Sequence, residues 1–238
     1  MKTPSEFEHY LSFINCSVKP APEVLPFKKH PASRLAITIS RQSGSGGAEI
    51  AKLLASELEQ VAPGDGCPWT VFDRNLVERV LEEHHLPQSL ARFMPEDRIS
   101  EISGIMDELF GLHPSSWDLV RQTSDTILHL AHWGNVILIG RGAVVVTAKL
   151  ENVFHVRLIG SAHKRVERLM SAQHLNQEAA QQHIVKEDQG RERYLKTYFD
   201  KSIDDPSLYD LVINTDRMTM GAAAKVVAQA ALITLKPA

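Results

Sequence analysis

A glycine-rich segment, Ser40-Arg41-Gln42-Ser43-Gly44-Ser45-Gly46-Gly47-Ala48-Glu49, follows a short apolar run and precedes an amphipathic stretch. Its glycines allow the backbone to curl so that successive amide N–H groups point inward, which makes a concave site for phosphate oxygens. The N-terminus of the following helix adds the positive end of its dipole. A glycine-rich turn without a ligand is the alternative. The strand–loop–helix placement favours a phosphate site made by Ser43, Gly44, Ser45, Gly46, Gly47 and Ala48.

The loop departs from the common phosphate-binding pattern, in which a lysine after the last glycine reaches the β- and γ-phosphates and a neighbouring hydroxyl holds Mg²⁺. Here Gly47 stands in the place of the lysine, and the hydroxyl position falls at Ala48 or Glu49. Because phosphoryl transfer depends on charge near the transferred group, another cation must replace the lysine. We predict Arg41 first and Arg141 second. Glu49 could bind Mg²⁺, although complementing the helix N-terminus explains it equally well.

Metal and disulfide chemistry have little support elsewhere in the chain. The pair His84-His85 has no cysteine or acidic partner at ligand spacing. Cys16 and Cys67 cannot make a disulfide framework and lack the spacing of a metal site, so we predict two reduced thiols.

Composition sets the class of protein and little more. The chain has 238 residues, 43% of them hydrophobic and 23% charged, with a formal net charge of −3. That is enough apolar content for one well-buried core, and the charge gives no general attraction to nucleic acid or membrane. Any bound anion therefore needs a local site. No run has the length of a membrane span and no secretion signal follows Met1, so we predict a cytoplasmic protein.

Apolar runs alternate with helical patterns and must position the loop. Each run is apolar throughout, which is typical of parallel strands covered on both faces by helices. We predict five strands, at residues 35–39, 69–72, 136–139, 153–159 and 210–214. Ligands in such folds bind beyond the carboxyl ends of the strands, so function should lie just after these runs.

Helical patterns fill the gaps between the strands. We predict helices at residues 50–61, 75–83, 117–132 and 220–235, and short helices within the irregular stretch 84–116. An amphipathic helix with one apolar face and a proline-rich linker occupy residues 1–34. That face could pack on the protein's own core or pair two copies of the chain as a homodimer. The chain then divides into residues 1–34 and an α/β domain over residues 35–238.

The segment from Ile37 to Gly47 resembles the opening of the cytidylate kinase-like family, a branch of the P-loop nucleoside monophosphate kinases. Further motifs follow in the family's order. They are Asp73-Arg74, the Gly140-Arg141-Gly142 turn after the third strand, the helix entry at 161–168, the lid motif at 188–191 and the last strand at 209–215. The resemblance covers roughly residues 35–230.

The resemblance implies a five-stranded parallel sheet with helices on both faces and a mobile lid near residues 186–201. It also implies an ATP site with Mg²⁺ at the loop, and a facing acceptor site. The expected reaction is transfer of the γ-phosphoryl of ATP to a nucleoside monophosphate. The expected partner is a small nucleotide, without nucleic acid or membrane.

Roles for individual residues follow from the matched motifs. With the two arginines already predicted, the catalytic set is Arg41, Arg141, Asp188 and Arg191. The acceptor-binding set is Asp73, Arg74, Arg141 and Asp188. Arg165 and Arg168 would flank the ATP phosphates or tether the lid, although an exposed salt-bridged helix face explains their spacing nearly as well.

One departure from the family bears on the substrate. Gly142 stands where cytidylate kinases have an aspartate that holds the acceptor nucleotide, so CMP is not fixed as the acceptor. Three functions stay open: a phosphotransferase, a nucleotide-binding regulatory protein without turnover, and an interaction protein that uses its N-terminal helix.

Overall fold

A single parallel sheet forms the centre of the protein. The computed structural model describes residues 34–63, 67–73, 102, 105–110 and 117–235. The five strands are β1 (Ala36–Arg41), β2 (Thr70–Phe72), β3 (Val136–Ile139), β4 (Val153–Ile159) and β5 (Leu211–Asn214), in the order β2-β3-β1-β4-β5. The predicted fold class and all five predicted strands are confirmed, with bounds that shift by at most two residues.

Helices cover both faces of this sheet. They are α1 (Gly47–Val61), α2 (Asp118–Trp133), α3 (Ala143–Val146), α4 (Ala162–Gln173), α5 (Gln177–Phe199) and α6 (Met220–Thr234). A short 3₁₀ turn, Pro206–Leu208, precedes β5, and residues 105–110 are also helical. The predicted helices that begin at residues 50, 117 and 220 correspond to α1, α2 and α6.

The central strands β1 and β3 bury apolar side chains on both faces, as predicted, whereas Val212 of the edge strand β5 is 44% exposed. On one face Ile37 packs in a cluster with Leu54 of α1 and Val227 of α6. On the other face Leu138 packs with Leu128 of α2. Two separate apolar clusters hold the sheet between two helical layers, which fixes the positions of the strand ends.

β1 lies at the centre of the sheet, hydrogen-bonded to β3 on one side and β4 on the other. The chain leaves β1 through α1 to reach β2, on the β3 side, and later crosses from β3 to β4 on the opposite side. Diverging connections of this kind open a crevice beyond the carboxyl ends of the strands. The loop from Gln42 to Gly46 lies at that crevice.

Several predictions fall on residues that the structure does not describe. They are the helix and linker of residues 1–33, the helix at 75–83 and most of the stretch 84–116. Cys67 is buried and disulfide-bonded, so the prediction of a reduced thiol is wrong at this position. Cys16 lies outside the described residues. Within the described ranges, no helix combines the length and the apolarity that crossing a membrane requires.

Candidate functional site

The glycine-rich loop depends on two left-handed glycines. Gly44 has φ 77° and Gly46 has φ 81°, a backbone region that side chains other than glycine rarely adopt. A Cβ at Gly44 would lie 2.4 Å from the carbonyl oxygen of Arg165, and one at Gly46 would lie 2.5 Å from Sδ of Met220. The loop is therefore pressed against the start of α4 and the start of α6.

The amides at the start of α1 face the crevice without a side-chain cap. Gly46 is the N-cap and carries no side-chain acceptor, whereas α4, α5 and α6 are capped by Ser161, Asn176 and Thr219. The first amides of a helix have no acceptor within the helix, so an uncapped N-terminus suits an anion. The Ser45 hydroxyl does not serve as such a cap, because it donates to the Gln42 carbonyl at 2.7 Å and closes the turn.

Two arginines of α4 hold the loop by its carbonyl oxygens. Arg165 donates from Nη1 to Ser43 O at 3.1 Å and from Nε to Gly160 O at 3.0 Å. Arg168 donates from Nη1 to Gly44 O at 3.4 Å and from Nη2 to Thr215 O at 2.6 Å. Both guanidinium groups therefore tie the loop to the ends of β4 and β5. The alternative interpretation, an exposed salt-bridged helix face, does not hold for Arg165, because this residue is only 8% exposed.

The side chain of Arg41 lies across two glycines. A Cβ at Gly47 would be 3.1 Å from its Cγ, and a Cβ at Gly140 would be 2.0 Å from its Nη1. Burial, reinforced by the nearby charge of Arg191, lowers the pKa of Arg41 to about 10, so this side chain is still charged at neutral pH. A desolvated cation beside a second cation is stabilised by a bound anion. Glycine at the position of the missing lysine thus makes room for a different cation.

The turn after β3 holds Arg141 in a strained conformation. Gly140, Arg141 and Gly142 have φ 79°, 53° and 71°, three left-handed residues in succession. A non-glycine residue in this region costs about 1–2 kcal/mol, and such strain concentrates at functional sites. A Cβ at Gly142 would lie 2.6 Å from Cε2 of Phe199, at the end of α5. The aromatic ring therefore occupies the space that a side chain at residue 142 would need.

The lid motif of α5 contacts the loop directly. The Ser43 N–H donates to Asp188 Oδ1 at 2.7 Å, and Arg165 Nη1 donates to Asp188 Oδ2 at 2.6 Å. Arg191 donates from Nη1 to Asp188 Oδ1 at 2.9 Å and from Nη2 to Glu187 Oε2 at 2.9 Å. The structure thus brings the predicted pair Asp188 and Arg191 to the predicted loop.

A cavity of about 360 Å³ lies between the carboxyl ends of β1 and β3, the turn at residues 140–142 and α5. Its lining includes the cations Arg41, Arg141, Lys186, Arg191 and Arg193. Glu187 is the one carboxylate among the described lining residues, and it is paired with Arg191. The excess of positive charge is suited to an anionic ligand.

Sequence reasoning missed part of this lining. Lys186, Arg193 and Tyr194 lie on one face of α5, and their spacing of seven and eight residues is the signal that could have found them. Burial raises the pKa of Tyr194 to about 12, so its hydroxyl is neutral in the physiological range.

A second cavity, of about 270 Å³, lies between the loop and α5 and is lined in part by Arg157 of β4. This arginine is 4% exposed and donates to Ser40 Oγ and to Asp204 Oδ1, each at 2.9 Å. Sequence reasoning missed it as well. The signal was a lone arginine inside an otherwise apolar strand, a residue that is rarely buried without a specific partner.

The remaining predicted site residues lie at the margin of the site or outside the described residues. Glu49 and Ala48 are exposed on the first turn of α1 and line neither cavity. Asp73 follows β2 and acts electrostatically on Arg41. Arg74 lies outside the described residues. The parts of the chain that are described contain no group of three or more His, Cys, Asp or Glu side chains able to hold a metal ion.

A five-stranded parallel sheet, a glycine-rich loop after its central strand and a basic cavity beside that loop define a kinase-like α/β protein. The sequence profile of the cytidylate kinase-like family matches residues 36–217, which span the sheet from β1 to β5. The chain therefore belongs to the cytidylate kinase-like family, and the resemblance is confirmed. Membership indicates a kinase-like role with a nucleotide ligand.

A solved structure agrees with this fold. An uncharacterised protein from Eubacterium ventriosum superposes with a TM-score of 0.60 at 18% identity, covering 82% of this chain and 97% of that one. A shikimate kinase from Bacteroides thetaiotaomicron gives a TM-score of 0.43 at 13% identity, over 85% of this chain and 98% of that one. At 18% identity the first likeness supports the fold alone, and the second, with its lower TM-score, carries no argument.

One curated relative matches part of the chain. A uronate isomerase from Corynebacterium glutamicum is 34% identical over 101 residues, which make up 42% of this chain. The match spans 19% of that protein's length.

Proposed function

We propose that the protein is an ATP-dependent phosphotransferase that moves the γ-phosphoryl group to a nucleoside monophosphate or a related small acceptor. The observation that carries this proposal is the group of cations that line the larger cavity, next to a loop with uncapped amides. The triphosphate binds on the loop and at the start of α1, and the acceptor binds in the cavity. Arg41 lies between the two positions, since it contacts Gly47 of α1 and Gly140 of the cavity.

The reaction needs positioning and charge stabilisation more than a chemical base. An oxygen of the acceptor's phosphate attacks the γ-phosphorus, a new P–O bond forms, and the bond to the β,γ-bridging oxygen breaks with its electron pair leaving on ADP. The attacking oxygen is already anionic. Arg41, Arg141 and Arg191 neutralise negative charge on the transferred group, because planar guanidinium groups bind phosphate oxygens through two donors at once.

Mg²⁺ would enter with ATP and would supply neutralisation of phosphate charge. Nucleotide-bound Mg²⁺ keeps several waters and takes one or two carboxylates at most. Among the described residues no group of three or more His, Cys, Asp or Glu side chains would form a metal site of the protein alone. Glu49 stays the metal ligand predicted from the sequence.

Helix α5 acts as the lid over this site. Its residues Lys186, Arg191 and Tyr194 line the acceptor cavity, and Asp188 contacts the loop. A lid that closes on both substrates excludes water and so protects the transferred group from hydrolysis.

A second candidate function is nucleotide binding without turnover, as in a regulatory protein. Gly47 in place of the lysine favours it, and so does the contact between the Ser43 amide and the carboxylate of Asp188. Both features weaken the hold on a transferred phosphoryl group relative to the common loop.

ADP production with ATP, Mg²⁺ and a panel of nucleoside monophosphates, followed beside thermal shift, separates the two candidates. We expect turnover that is lost in Arg41→Ala and Arg141→Ala and kept in Arg121→Ala, an exposed arginine of α2. A thermal shift with ATP but no turnover on any acceptor would favour the regulatory protein. Absence of any shift or heat with ATP, ADP or a nonhydrolysable analogue at millimolar concentration would refute nucleotide binding.

A further inference from the structure

We propose that Asp188 is a built-in stand-in for phosphate: its carboxylate occupies the anion position of the loop in the ligand-free protein, and an incoming polyphosphate displaces it. This inference rests on the nucleotide binding proposed above and not on turnover.

Three donors from three parts of the fold converge on this one carboxylate. They are the Ser43 N–H of the loop at 2.7 Å, Arg165 Nη1 of α4 at 2.6 Å and Arg191 Nη1 of α5 itself at 2.9 Å. The Asp188 side chain is 27% exposed and that of Arg165 is 10% exposed, so the pair is largely shielded from water. Such charge-assisted hydrogen bonds are short and strong compared with neutral ones.

Backbone amides and guanidinium groups, the donors that contact Asp188, are also the groups with which proteins bind phosphate. A loop amide and two guanidinium groups form an anion site of the kind found at glycine-rich loops. A carboxylate fills it with two oxygens and one negative charge, whereas a terminal phosphate brings three oxygens and more charge. A polyphosphate therefore makes the stronger set of contacts, and like-charge repulsion expels Asp188 from the position.

Displacement of Asp188 changes more than the loop. Asp188 and Arg191 lie one turn apart on α5, and Lys186 and Tyr194 of that helix line the larger cavity. Releasing the carboxylate frees Arg191 to turn to phosphate and releases the contact that holds α5 on the loop. Occupancy of the loop is thus coupled to the wall of the acceptor cavity, and by linkage an acceptor in the cavity affects polyphosphate affinity equally.

The test compares tripolyphosphate binding by calorimetry in the wild-type protein, Asp188→Asn and Glu178→Gln. The control removes one carboxylate from an exposed position in the first turn of the same helix, away from both cavities. If the carboxylate competes with phosphate, Asp188→Asn binds tripolyphosphate roughly tenfold more tightly, the scale of a charge-assisted hydrogen bond. Glu178→Gln binds like the wild type. Equal or weaker binding by Asp188→Asn overturns the inference.

A measurement without any ligand checks the contact itself. Hydrogen exchange of the Ser43 amide should be slow in the ligand-free wild type and markedly faster in Asp188→Ala, which has no side-chain acceptor. Unchanged exchange overturns the inference even if both proteins bind polyphosphate.

The outcomes also separate this inference from the proposed function. Failure of the wild type and of Asp188→Asn to bind tripolyphosphate or a nonhydrolysable ATP analogue refutes both. Binding by the wild type that Asp188→Asn does not improve refutes the stand-in role alone. Tighter binding by Asp188→Asn, together with no transfer by the wild type to any acceptor, upholds the stand-in role and refutes the phosphotransferase.

Discussion

Replacement of Gly140 by alanine separates the cost of backbone strain from the displacement of Arg41. Gly140 has φ 79°, where alanine costs about 1–2 kcal/mol. A stability loss of about 1 kcal/mol lowers Tm by roughly 2–4 °C in a domain of 150–250 residues, so we expect Gly140→Ala to melt roughly 2–8 °C lower. The added Cβ would lie 2.0 Å from Nη1 of Arg41. Since that atom ends a flexible side chain, the protein relieves the clash by moving the guanidinium group.

The functional loss should then exceed what the modest change in Tm implies. Loss of charge-assisted contacts from Arg41 weakens binding of a nonhydrolysable ATP analogue by roughly tenfold to a hundredfold, measured by calorimetry well below Tm. Arg41→Ala should show the same loss, and the double variant should lose no more than Arg41→Ala alone. Gly221→Ala is the matched control, because a Cβ there meets nothing within 4 Å and alanine suits a helix.

Wild-type affinity in Gly140→Ala, together with the expected fall in Tm, would refute the reasoning. It would mean that the cation that replaces the missing lysine is not Arg41. A binding loss that is additive in the double variant would lead to the same conclusion, because the glycine would then act by another route.

Three further predictions concern the stability of the folded protein and not ligand binding. Gly142→Ala should lose about 1–2 kcal/mol of stability because its backbone is left-handed, and more because its Cβ would meet Phe199. The double variant Gly142→Ala/Phe199→Leu should therefore recover part of this loss in urea denaturation. Absence of any recovery would contradict the contact between the two residues. Arg157→Leu should lose about 1–3 kcal/mol because its buried hydrogen bonds vanish, whereas Asp204→Asn should lose less than about 1 kcal/mol since the Asp204 side chain is 71% exposed; equal losses would contradict this assignment. The pKa of Tyr194 lies at about 12 in the folded protein, above its ordinary value of 10.0, so its contribution to stability is complete below pH 10 and declines as the pH rises toward 12. Tyr194→Phe should therefore lose less stability than the wild type between those two values, and parallel alkaline denaturation curves would contradict the shift.

Local patterns predicted the framework of the fold. The strands are mostly apolar runs bounded by glycine or polar residues, and that pattern depends only on neighbours in the chain. The loop was visible for the same reason, because its glycines, the strand before it and the helix after it are contiguous. The motifs of the cytidylate kinase-like family then identified the family, which the match over residues 36–217 confirms. Gly140 and Gly142 could be recognised as a turn, but not as the space for Arg41 and Phe199.

The roles of charged side chains were harder to predict, because the same spacing is found on a solvated helix face and in a binding site. Arg165 and Arg168 are three residues apart, and nothing local distinguishes a salt-bridged surface from a brace on the loop. Their partners Ser43 and Gly44 lie more than a hundred residues away in the chain. Arg157 stood out as a charge in an apolar strand, yet only the segment folded over β4 supplies Asp204 as its partner.

The amino-acid sequence by itself determined the family, the five-stranded sheet and the loop that follows β1. Only the tertiary structure decided that Asp188 meets the Ser43 amide across 145 residues and that the cations of α5 gather over the ends of β1 and β3. The physical reason is one of range. Backbone preferences and apolar periodicity act between near neighbours, whereas convergence of charges depends on how the sheet order and the two helical layers bring distant segments together.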